Sequence, residues 1–296
     1  MTGIENNSKK TVTAILPNYN YAKHIDRRID EALNQTYPIS ELIILDDAST
    51  DDSITKLKQK LFKVKKIYPK LKLKVVINKK NSGNVFSQWQ KGIKLATSDY
   101  IWICELDDSA RMSFLKTVMS GFEDENVVLS YCNSRSIDKS GRRIAKEDLR
   151  GIKDIFRKKH IPGNYIIDGI DEIEKNLAVY NSIPNVSAVI FKKQAKLIDI
   201  LDRAKKLSLC GDWFFYLEVA KTGKIAYFQK TLNSHRIHRR SVTSNTNLDD
   251  RLKEIKIIHR HVLRSLNISS RTKTRMAKLE TYLAKKWDTE DNISHV

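Results

Sequence analysis

The sequence has 296 residues, 41% of them hydrophobic, and a formal net charge of +19; this hydrophobic content is ordinary for a globular protein and excludes wholesale disorder. No apolar run approaches the roughly 18 residues that indicate a transmembrane helix, and the polar residues 1–10 lack the apolar core of a secretion signal. We therefore expect one large domain, or one domain with a small appendage, that is not secreted.

Strands and helices alternate along the first half of the chain. Short apolar runs predict strands, and apolar residues at helical spacing, such as Ile25, Ile29 and Leu33, predict helices. The predicted strands cover residues 12–16, 42–45, 73–77 and 100–106, and the predicted helices cover residues 23–35 and 86–96, with a lysine-rich helix, capped by Asp51 or Asp52, after the second strand. This alternation is typical of an α/β fold with a mostly parallel sheet that helices cover on both faces.

The second half is less regular. We predict strands at residues 127–131, 188–191 and 225–228, helices at 171–179 and 212–221, and two basic amphipathic helices at 249–266 and 271–286. The helix at 212–221 is apolar and should be buried. No internal repeat or low-complexity linker divides the chain, so one main domain with a basic helical tail is the simplest organisation.

Positive charge is concentrated in two regions. Residues 53–80 contain many lysines and no acidic residue, and a second basic region covers residues 251–286. Such surfaces attract nucleic acid, anionic lipid or phosphorylated substrates, although lysine is also an ordinary residue of soluble surfaces. The lysines lack the interleaved aromatic residues of a groove for single-stranded nucleic acid, so we favour attraction to a membrane surface.

Cysteine usage indicates the compartment. Cys104, Cys132 and Cys210 are odd in number, widely spaced and set in apolar surroundings. They predict buried thiols in a reducing compartment rather than disulfides or a zinc site. We therefore expect a cytoplasmic protein, with a peripheral position at the inner face of the membrane as a further expectation from its basic regions.

Polar clusters follow three of the predicted strands. They are Pro-Asn-Tyr-Asn at residues 17–20, Asp-Asp-Ala-Ser-Thr-Asp at 46–51 and Glu-Leu-Asp-Asp at 105–108. In an open α/β sheet, ligands bind at the carboxyl ends of the strands. Asp and Asn are also common in turns and helix caps, which would explain any one cluster alone. Three clusters at one edge of the sheet indicate a binding site.

These clusters carry a resemblance to a known family. Residues 12–53, with the clusters at 17–20 and 46–51 and Gln-Thr-Tyr-Pro at 35–38, resemble the opening of family 2 glycosyltransferases of the GT-A fold. The resemblance continues through Asn-Ser-Gly at 81–83, residues 85–96 and 100–108, Gly-Asp-Trp at 211–213, Arg-Ile-His at 236–238 and Ser241. It covers residues 12–243, and the family would more commonly have glycine in place of Ala48.

The resemblance implies a GT-A (Rossmann-like) catalytic domain at residues 1–243, with a nucleotide-sugar half at 11–110 and an acceptor half at 111–243. A basic helical extension would follow at residues 244–296. The implied activity is transfer of a sugar from a nucleotide-diphospho-sugar, foremost a UDP-sugar, to a saccharide, lipid-linked or protein-linked glycan in the synthesis of surface glycans.

The resemblance also implies roles for individual residues. Asp212 would be the general base, although a carboxylate at the start of a helix is also an ordinary cap. The implied donor-binding residues are Pro17, Asn18, Tyr19, Asn20, Asp46, Asp47, Asn81, Gly83, Glu105, Asp107 and Arg236, and the implied acceptor-binding residues are Trp213, Asn185 and Ser187. The sequence leaves open which of Asp46 and Asp47 faces the ligand, and whether Trp213 stacks on a sugar or packs in the core.

Residues 105–107, Glu-Leu-Asp, occupy the place of the family's Asp-x-Asp metal motif. Mn²⁺ or Mg²⁺ typically takes only one or two oxygen ligands from the protein and the rest from phosphates and water. The resemblance implies Asp107, Asp108 and His238 as metal ligands, with Glu105 open between metal and ribose. Transfer by a single displacement would invert the anomeric carbon.

The sequence is also compatible with two other functional classes of protein. A sugar nucleotidyltransferase also uses carboxylates and a divalent metal on an α/β sheet, but it would normally show a glycine-rich phosphate loop, which residues 17–20 do not supply. A basic protein that binds nucleic acid or a membrane surface would explain the charge but not the acidic clusters. A homodimer is also left open, and nucleic acid is the least expected partner.

Overall fold

The computed structural model describes residues 10–144, 163–237 and 248–293. Its first half contains strands β1 (Val12–Asn18), β2 (Glu41–Asp46), β3 (Lys72–Ile77) and β4 (Tyr100–Ile103), alternating with helices α1 (Ile25–Leu33), α2 (Ser53–Ile67) and α3 (Val85–Leu95). The four strands are parallel, in the order β3-β2-β1-β4. Every residue of β1, β2 and β4 is buried, as expected for strands covered on both faces.

The second half extends the same sheet. Its elements are β5 (Ser109–Ala110), α4 (Phe114–Met119), β6 (Val127–Ile137), β7 (Tyr165–Asp168), α5 (Gly169–Glu172) with a π-helical turn at Ile173–Leu177, β8 (Val189–Lys192), α6 (Leu197–Ala204), α7 (Gly211–Ala220), β9 (Lys224–Arg236), α8 (Leu248–Ser265) and α9 (Ser270–Ile293). Within the described residues the sheet continues from β4 as β8-β6-β9-β5, with β7 also paired to β9.

Strand direction differs between the two halves. The pairs β4–β8, β6–β8, β5–β9 and β7–β9 are antiparallel, whereas β6–β9 is parallel. The α/β fold is therefore as predicted, and the parallel arrangement is concentrated in strands β1 to β4. The sequence did not predict α4, α6, β5 or β7, and it predicted only the first residues of β9.

Helices α8 and α9 pack onto the domain. Ile258, Val262 and Leu279 belong to the same buried apolar cluster as Phe215 of α7 and Phe191 of β8. The predicted boundary at residues 243/244 lies outside the described residues. All three cysteines are free and buried, as predicted, and no helix in the described segments is long and apolar enough to cross a membrane.

Candidate active site

A cavity of about 810 Å³ lies at the carboxyl ends of β1, β2 and β4. The predicted site residues that line it are Pro17, Asn18, Tyr19, Asn20, Asp47, Asn81, Gly83, Glu105, Asp107, Asp108, Asn185, Asp212, Trp213 and Arg236. Asp46 and Ser187 do not line it, and His238 lies outside the described residues. Segments that are far apart in the sequence therefore meet in one cleft, as the strand-end clusters predict.

Asp46 joins the ends of the two central strands. It is fully buried and lies opposite Asn18 in the β1–β2 register. Its Oδ2 accepts hydrogen bonds from Asn18 Nδ2 (2.5 Å) and Ser49 Oγ (2.8 Å), and its Oδ1 accepts one from Ser49 N (2.9 Å). This position does not fit the expected contact between Asp46 and the donor; the carboxylate instead fixes the loop on which neighbouring residues reach the cavity.

Asp47 is the member of the pair that lines the cavity. Its Oδ1 accepts from Asn78 Nδ2 (2.6 Å), and its Oδ2 accepts from Ser82 Oγ (2.7 Å). These bonds tie the end of β2 to the loop that carries Asn81 and Gly83, both in the cavity wall. Gly83 has a φ of +67°, a left-handed conformation that favours glycine.

Two residues without glycine's freedom also adopt left-handed conformations here. Asn20 has a φ of +59° and Ala48 a φ of +62°. Asn20 Oδ1 accepts from Thr50 N (2.7 Å), a local bond that stabilises its turn. Ala48 has no such bond to offer, and its conformation gives a physical reason why glycine would be common at this position.

Glu105, Asp107 and Asp108 follow β4 on one tight loop. Glu105 Oε1 accepts from the Trp89 indole N–H (2.9 Å), and burial together with the charge of Asp107 raises the pKa of Glu105 to about 8. Asp108 is buried, and its oxygens accept from Asn185 Nδ2 (2.7 Å) and Arg236 N (3.0 Å). Burial and Asp107 also raise the pKa of Asp108. The loop therefore places three carboxyl groups close together where there is little water, and this surrounding disfavours the ionised forms of Glu105 and Asp108.

Three arginines hold the backbone of this acidic loop. Arg28, which is fully buried on α1, donates from Nε to Glu105 O (3.0 Å). Arg27 donates from Nη2 to Leu106 O (3.3 Å) and to Asp107 O (3.4 Å). Arg236 donates from Nε to Asp107 O (2.8 Å). The guanidinium of Arg236 thus supports the acidic loop from the cavity wall.

The acidic loop decides whether a divalent cation fits. Among the described residues, no group of three or more His, Cys, Asp or Glu side chains is arranged to hold a metal ion. Asp107 lies in the cavity wall and accepts a hydrogen bond from the Tyr21 hydroxyl. One carboxylate ligand, with phosphates and water completing the shell, suits Mn²⁺ or Mg²⁺. Burial first, and the charge of Asp107 second, raise the pKa values of Glu105 and Asp108, and a bound cation would favour the ionised form of both.

Asp212 lies in the first turn of helix α7. Its Oδ1 accepts from Trp213 N (2.7 Å), and its Oδ2 accepts from Asn181 Nδ2 (3.2 Å). Burial raises the pKa of Asp212 to about 6. Trp213 is only 3% exposed and donates its indole N–H to Leu177 O (2.7 Å), so it is largely a core residue with one side on the cavity.

Sequence reasoning missed several residues of the cavity. They include Ser208, Leu209 and Cys210, and also Tyr21, Trp89, Asn181, His235, Arg251, Ile255, Leu279 and Leu283. Tyr21 adjoins a predicted cluster and could have been found by its position. His235 directly precedes Arg236, and its buried Nδ1 makes no hydrogen bond among the described residues. The last four belong to α8 and α9, where no sequence signal indicated a role in the site.

Known proteins with similar sequences include glycosyltransferases. An uncharacterized glycosyltransferase of Haemophilus influenzae is 24% identical over 83% of this chain, which spans 72% of that protein. The poly(ribitol-phosphate) β-N-acetylglucosaminyltransferase TarP of Staphylococcus aureus is 27% identical over 71% of the chain, which spans 63% of TarP. The chain spans only 25% of the chondroitin synthase of Pasteurella multocida, to which it is 26% identical.

Solved structures show the same fold. Residues 1–349 of S. aureus TarS, in complex with UDP-GlcNAc, match 91% of the chain with a TM-score of 0.64 and 17% identity, and the match covers 71% of TarS 1–349. The mannosyltransferase PcManGT of Pyrobaculum calidifontis, with GDP-Man and Mn²⁺, matches 92% with a TM-score of 0.61 and 17% identity, and the match covers 69% of that protein. The sequence profile of Glycosyl transferase family 2 matches residues 13–179, more than half of the chain. The protein is therefore a glycosyltransferase that belongs to glycosyl transferase family 2.

Proposed function

We propose that the protein is a metal-dependent, inverting glycosyltransferase that moves a sugar from a nucleotide-diphospho-sugar, foremost a UDP-sugar, to a glycan, glycolipid or glycoprotein acceptor in surface glycan synthesis. The observation that carries this proposal is the presence of Asp107 and Asp212 in the wall of one cavity. Asp107 comes from the nucleotide half of the sheet and Asp212 from the acceptor half, so one cleft offers both a phosphate-side carboxylate and a base.

Asp212 has the properties of a general base. A pKa of about 6 leaves its carboxylate mostly ionised at neutral pH yet basic enough to accept a proton. In the proposed step, Asp212 takes the proton of an acceptor hydroxyl while that oxygen bonds to the anomeric carbon. The bond from this carbon to the diphosphate oxygen breaks, and the nucleoside diphosphate leaves with the electron pair. One displacement inverts the anomeric centre through an oxocarbenium-like transition state.

Asp107 supports the leaving-group side of the reaction. Its backbone carbonyl is held by Arg27 and Arg236, which fixes the direction of the loop. Mn²⁺ or Mg²⁺, when bound, would neutralise charge on the departing diphosphate. The metal complex of PcManGT with GDP-Man and Mn²⁺ and the TarS complex with UDP-GlcNAc favour a nucleotide sugar and a divalent cation for this chain as well.

A cytoplasmic position at the inner face of a membrane is part of the proposal. On α2, Phe62 is 75% exposed and Ile67 is 67% exposed. Lys58, Lys65 and Lys66 lie at i−4, i+3 and i+4 from Phe62 and are therefore its neighbours on the helix surface. Large apolar side chains among lysines suit an anionic lipid surface. A homodimer stays a prediction.

The test is a panel of UDP-, GDP- and dTDP-sugars incubated with Mn²⁺ or Mg²⁺, in which release of the nucleoside diphosphate is measured. We expect hydrolysis or transfer with one nucleotide class, its loss in EDTA, and its loss in Asp107→Asn and Asp212→Asn. Nucleotide binding should weaken in Asp107→Asn and persist in Asp212→Asn. Release of pyrophosphate from a nucleoside triphosphate and a sugar 1-phosphate would instead support a sugar nucleotidyltransferase.

A further inference from the structure

Helices α8 and α9 are attached to the domain by polar as well as apolar contacts. His259 is 1% exposed; its Nε2 lies 3.0 Å from Val179 O and its Nδ1 lies 2.6 Å from Glu280 Oε1. Arg275 Nη1 donates to the carbonyl of Lys175 (2.8 Å). The bonds to the carbonyls of Val179 and Lys175 fix the helix pair against the segment that follows α5, and the contact between His259 and Glu280 joins α8 to α9.

A further polar contact of α8 lies directly before α7. The carboxylate of Glu254, on α8, accepts hydrogen bonds from three successive backbone N–H groups: Oε1 from Ser208 (2.7 Å), and Oε2 from Leu209 (2.8 Å) and Cys210 (2.8 Å). Cys210 occupies the N-cap position of α7 and makes no side-chain cap bond. Glu254 thus supplies, from a distant helix, acceptors for amides that the segment cannot satisfy itself.

The segment that Glu254 fixes is part of the site. Ser208, Leu209 and Cys210 all line the cavity, and Asp212 follows Cys210 by two residues. On α8, the neighbours of Glu254 also reach the cavity, because Arg251 and Ile255 are in its wall. The carboxylate of Glu254 therefore connects the helix pair to the start of α7, at the side of the cavity that holds Asp212.

We infer that Glu254 is a positioning residue for the reaction: by holding the amides of Ser208, Leu209 and Cys210, it sets the position of the Asp212 carboxylate relative to the acceptor hydroxyl. This inference rests on the proposed role of Asp212. Small displacements of a reacting group reduce rates strongly, so loosening this segment lowers turnover while the nucleotide side of the cavity, formed by β1, β2 and β4, keeps its donor affinity.

The inference is tested with Glu254→Gln. A glutamine has one acceptor oxygen and places an N–H₂ group against the amides, so it cannot accept all three bonds. We expect faster hydrogen exchange of the amides of Leu209 and Cys210, and a decrease of about tenfold or more in kcat for donor hydrolysis with Mn²⁺. The KM for the nucleotide sugar should stay unchanged.

The pH profile separates positioning from a general loss of stability. The charge of Glu254 contributes to raising the pKa of Asp212. Glu254→Gln should therefore lower the apparent pKa below which kcat falls on the acid side of the pH profile. Glu254→Asp keeps the charge but shortens the side chain by one methylene. It should lower kcat and leave the apparent pKa on the acid side of the profile nearly unchanged. Asp249→Asn is the matched control, because it makes the same carboxylate-to-amide change at an exposed residue of α8, and it should alter neither kcat nor that apparent pKa.

Several outcomes would overturn the inference. Unchanged exchange at Leu209 and Cys210 would show that Glu254 does not fix the segment. Faster exchange with unchanged kcat, or an equal loss of kcat and of nucleotide affinity, would show a purely structural role. If the unsubstituted chain hydrolyses no nucleotide sugar, the proposed function fails, whereas the exchange measurement still decides whether Glu254 holds these amides.

Discussion

Replacing Asp212 by asparagine should make the protein more stable while it stops transfer. The pKa of Asp212 is raised from 3.8 to about 6, so the folded state resists ionisation of this carboxylate more than the unfolded chain does. The stability of a group with a raised pKa is fully present below the unfolded pKa and is lost as the pH rises through the folded one. Above pH 6 the ionised Asp212 therefore costs the wild-type protein stability, and an uncharged asparagine at this position avoids that cost.

The magnitude follows from the two pKa values. A rise of about two pKa units lowers the free energy of unfolding of the wild-type protein by about 3 kcal/mol at pH 7.5 and by about 1.6 kcal/mol at pH 5. An asparagine keeps an oxygen for the Trp213 N–H but turns an N–H₂ group toward Asn181, which costs about 1 kcal/mol. The variant should therefore gain about 2 kcal/mol at pH 7.5 and about 0.6 kcal/mol at pH 5, or roughly 4 °C and 1 °C in Tm.

The assay is thermal unfolding of both proteins from pH 5 to pH 7.5, in parallel with transfer or donor hydrolysis. Asp199→Asn is the control, since Asp199 is exposed on α6 and its replacement should not change the pH dependence of Tm. A Tm difference that does not grow between pH 5 and pH 7.5 would refute the link between burial and basicity. Substantial turnover by Asp212→Asn would show that another group takes the proton.

Three further predictions concern Ala48, Arg28 and the lysines of α2. Ala48→Gly should raise the free energy of unfolding by about 0.5 kcal/mol, because it relieves a left-handed alanine at some cost in chain entropy, and a lower Tm would contradict this reasoning. Arg28→Met should lower that free energy by about 2–3 kcal/mol in a chemical denaturation experiment, since it removes a buried cation from Glu105 O; equal stability would show that the loop does not need this support. Charge reversal at Lys65 and Lys66 should weaken flotation with anionic vesicles and leave binding to neutral vesicles unchanged, whereas stronger loss of DNA binding than of vesicle binding would favour nucleic acid as the partner.

The parallel half of the sheet was readable from the sequence because its strands are short, continuous apolar runs. Strand β9 was not, since its apolar run breaks after Phe228: Gln229, Lys230 and Thr231 are exposed, and the pairing with β6 shifts register near Cys132 and Asn133. A polar run of this kind looks like a loop until its partners β5 and β6 are known. Pairing with distant segments therefore determines that the polar part of β9 is a strand, and the local sequence pattern does not indicate it.

The same distinction applies to the site. The strand-end clusters predicted which segments meet in the cavity at the ends of β1, β2 and β4, because topology alone brings the carboxyl ends of parallel strands together. The sequence does give one weak indication for Arg28. It shares the apolar face of α1 with Ile25 and Ile29, and a charged residue on a buried face needs a hydrogen-bonding partner. The contribution of Glu254 had no local signal at all, since its bonds reach back to residues 208–210.

The order of elements along the chain has a consequence for biosynthesis. On the ribosome, all the described strands emerge before α8 and α9, so the sheet can begin to fold while this helix pair is still being made. Until the pair docks, apolar residues of α7 that share a buried cluster with Ile258 and Val262 lack part of their cover. The nascent chain therefore exposes an apolar surface that chaperones can bind, and its cavity lacks the wall that Arg251, Ile255, Leu279 and Leu283 supply.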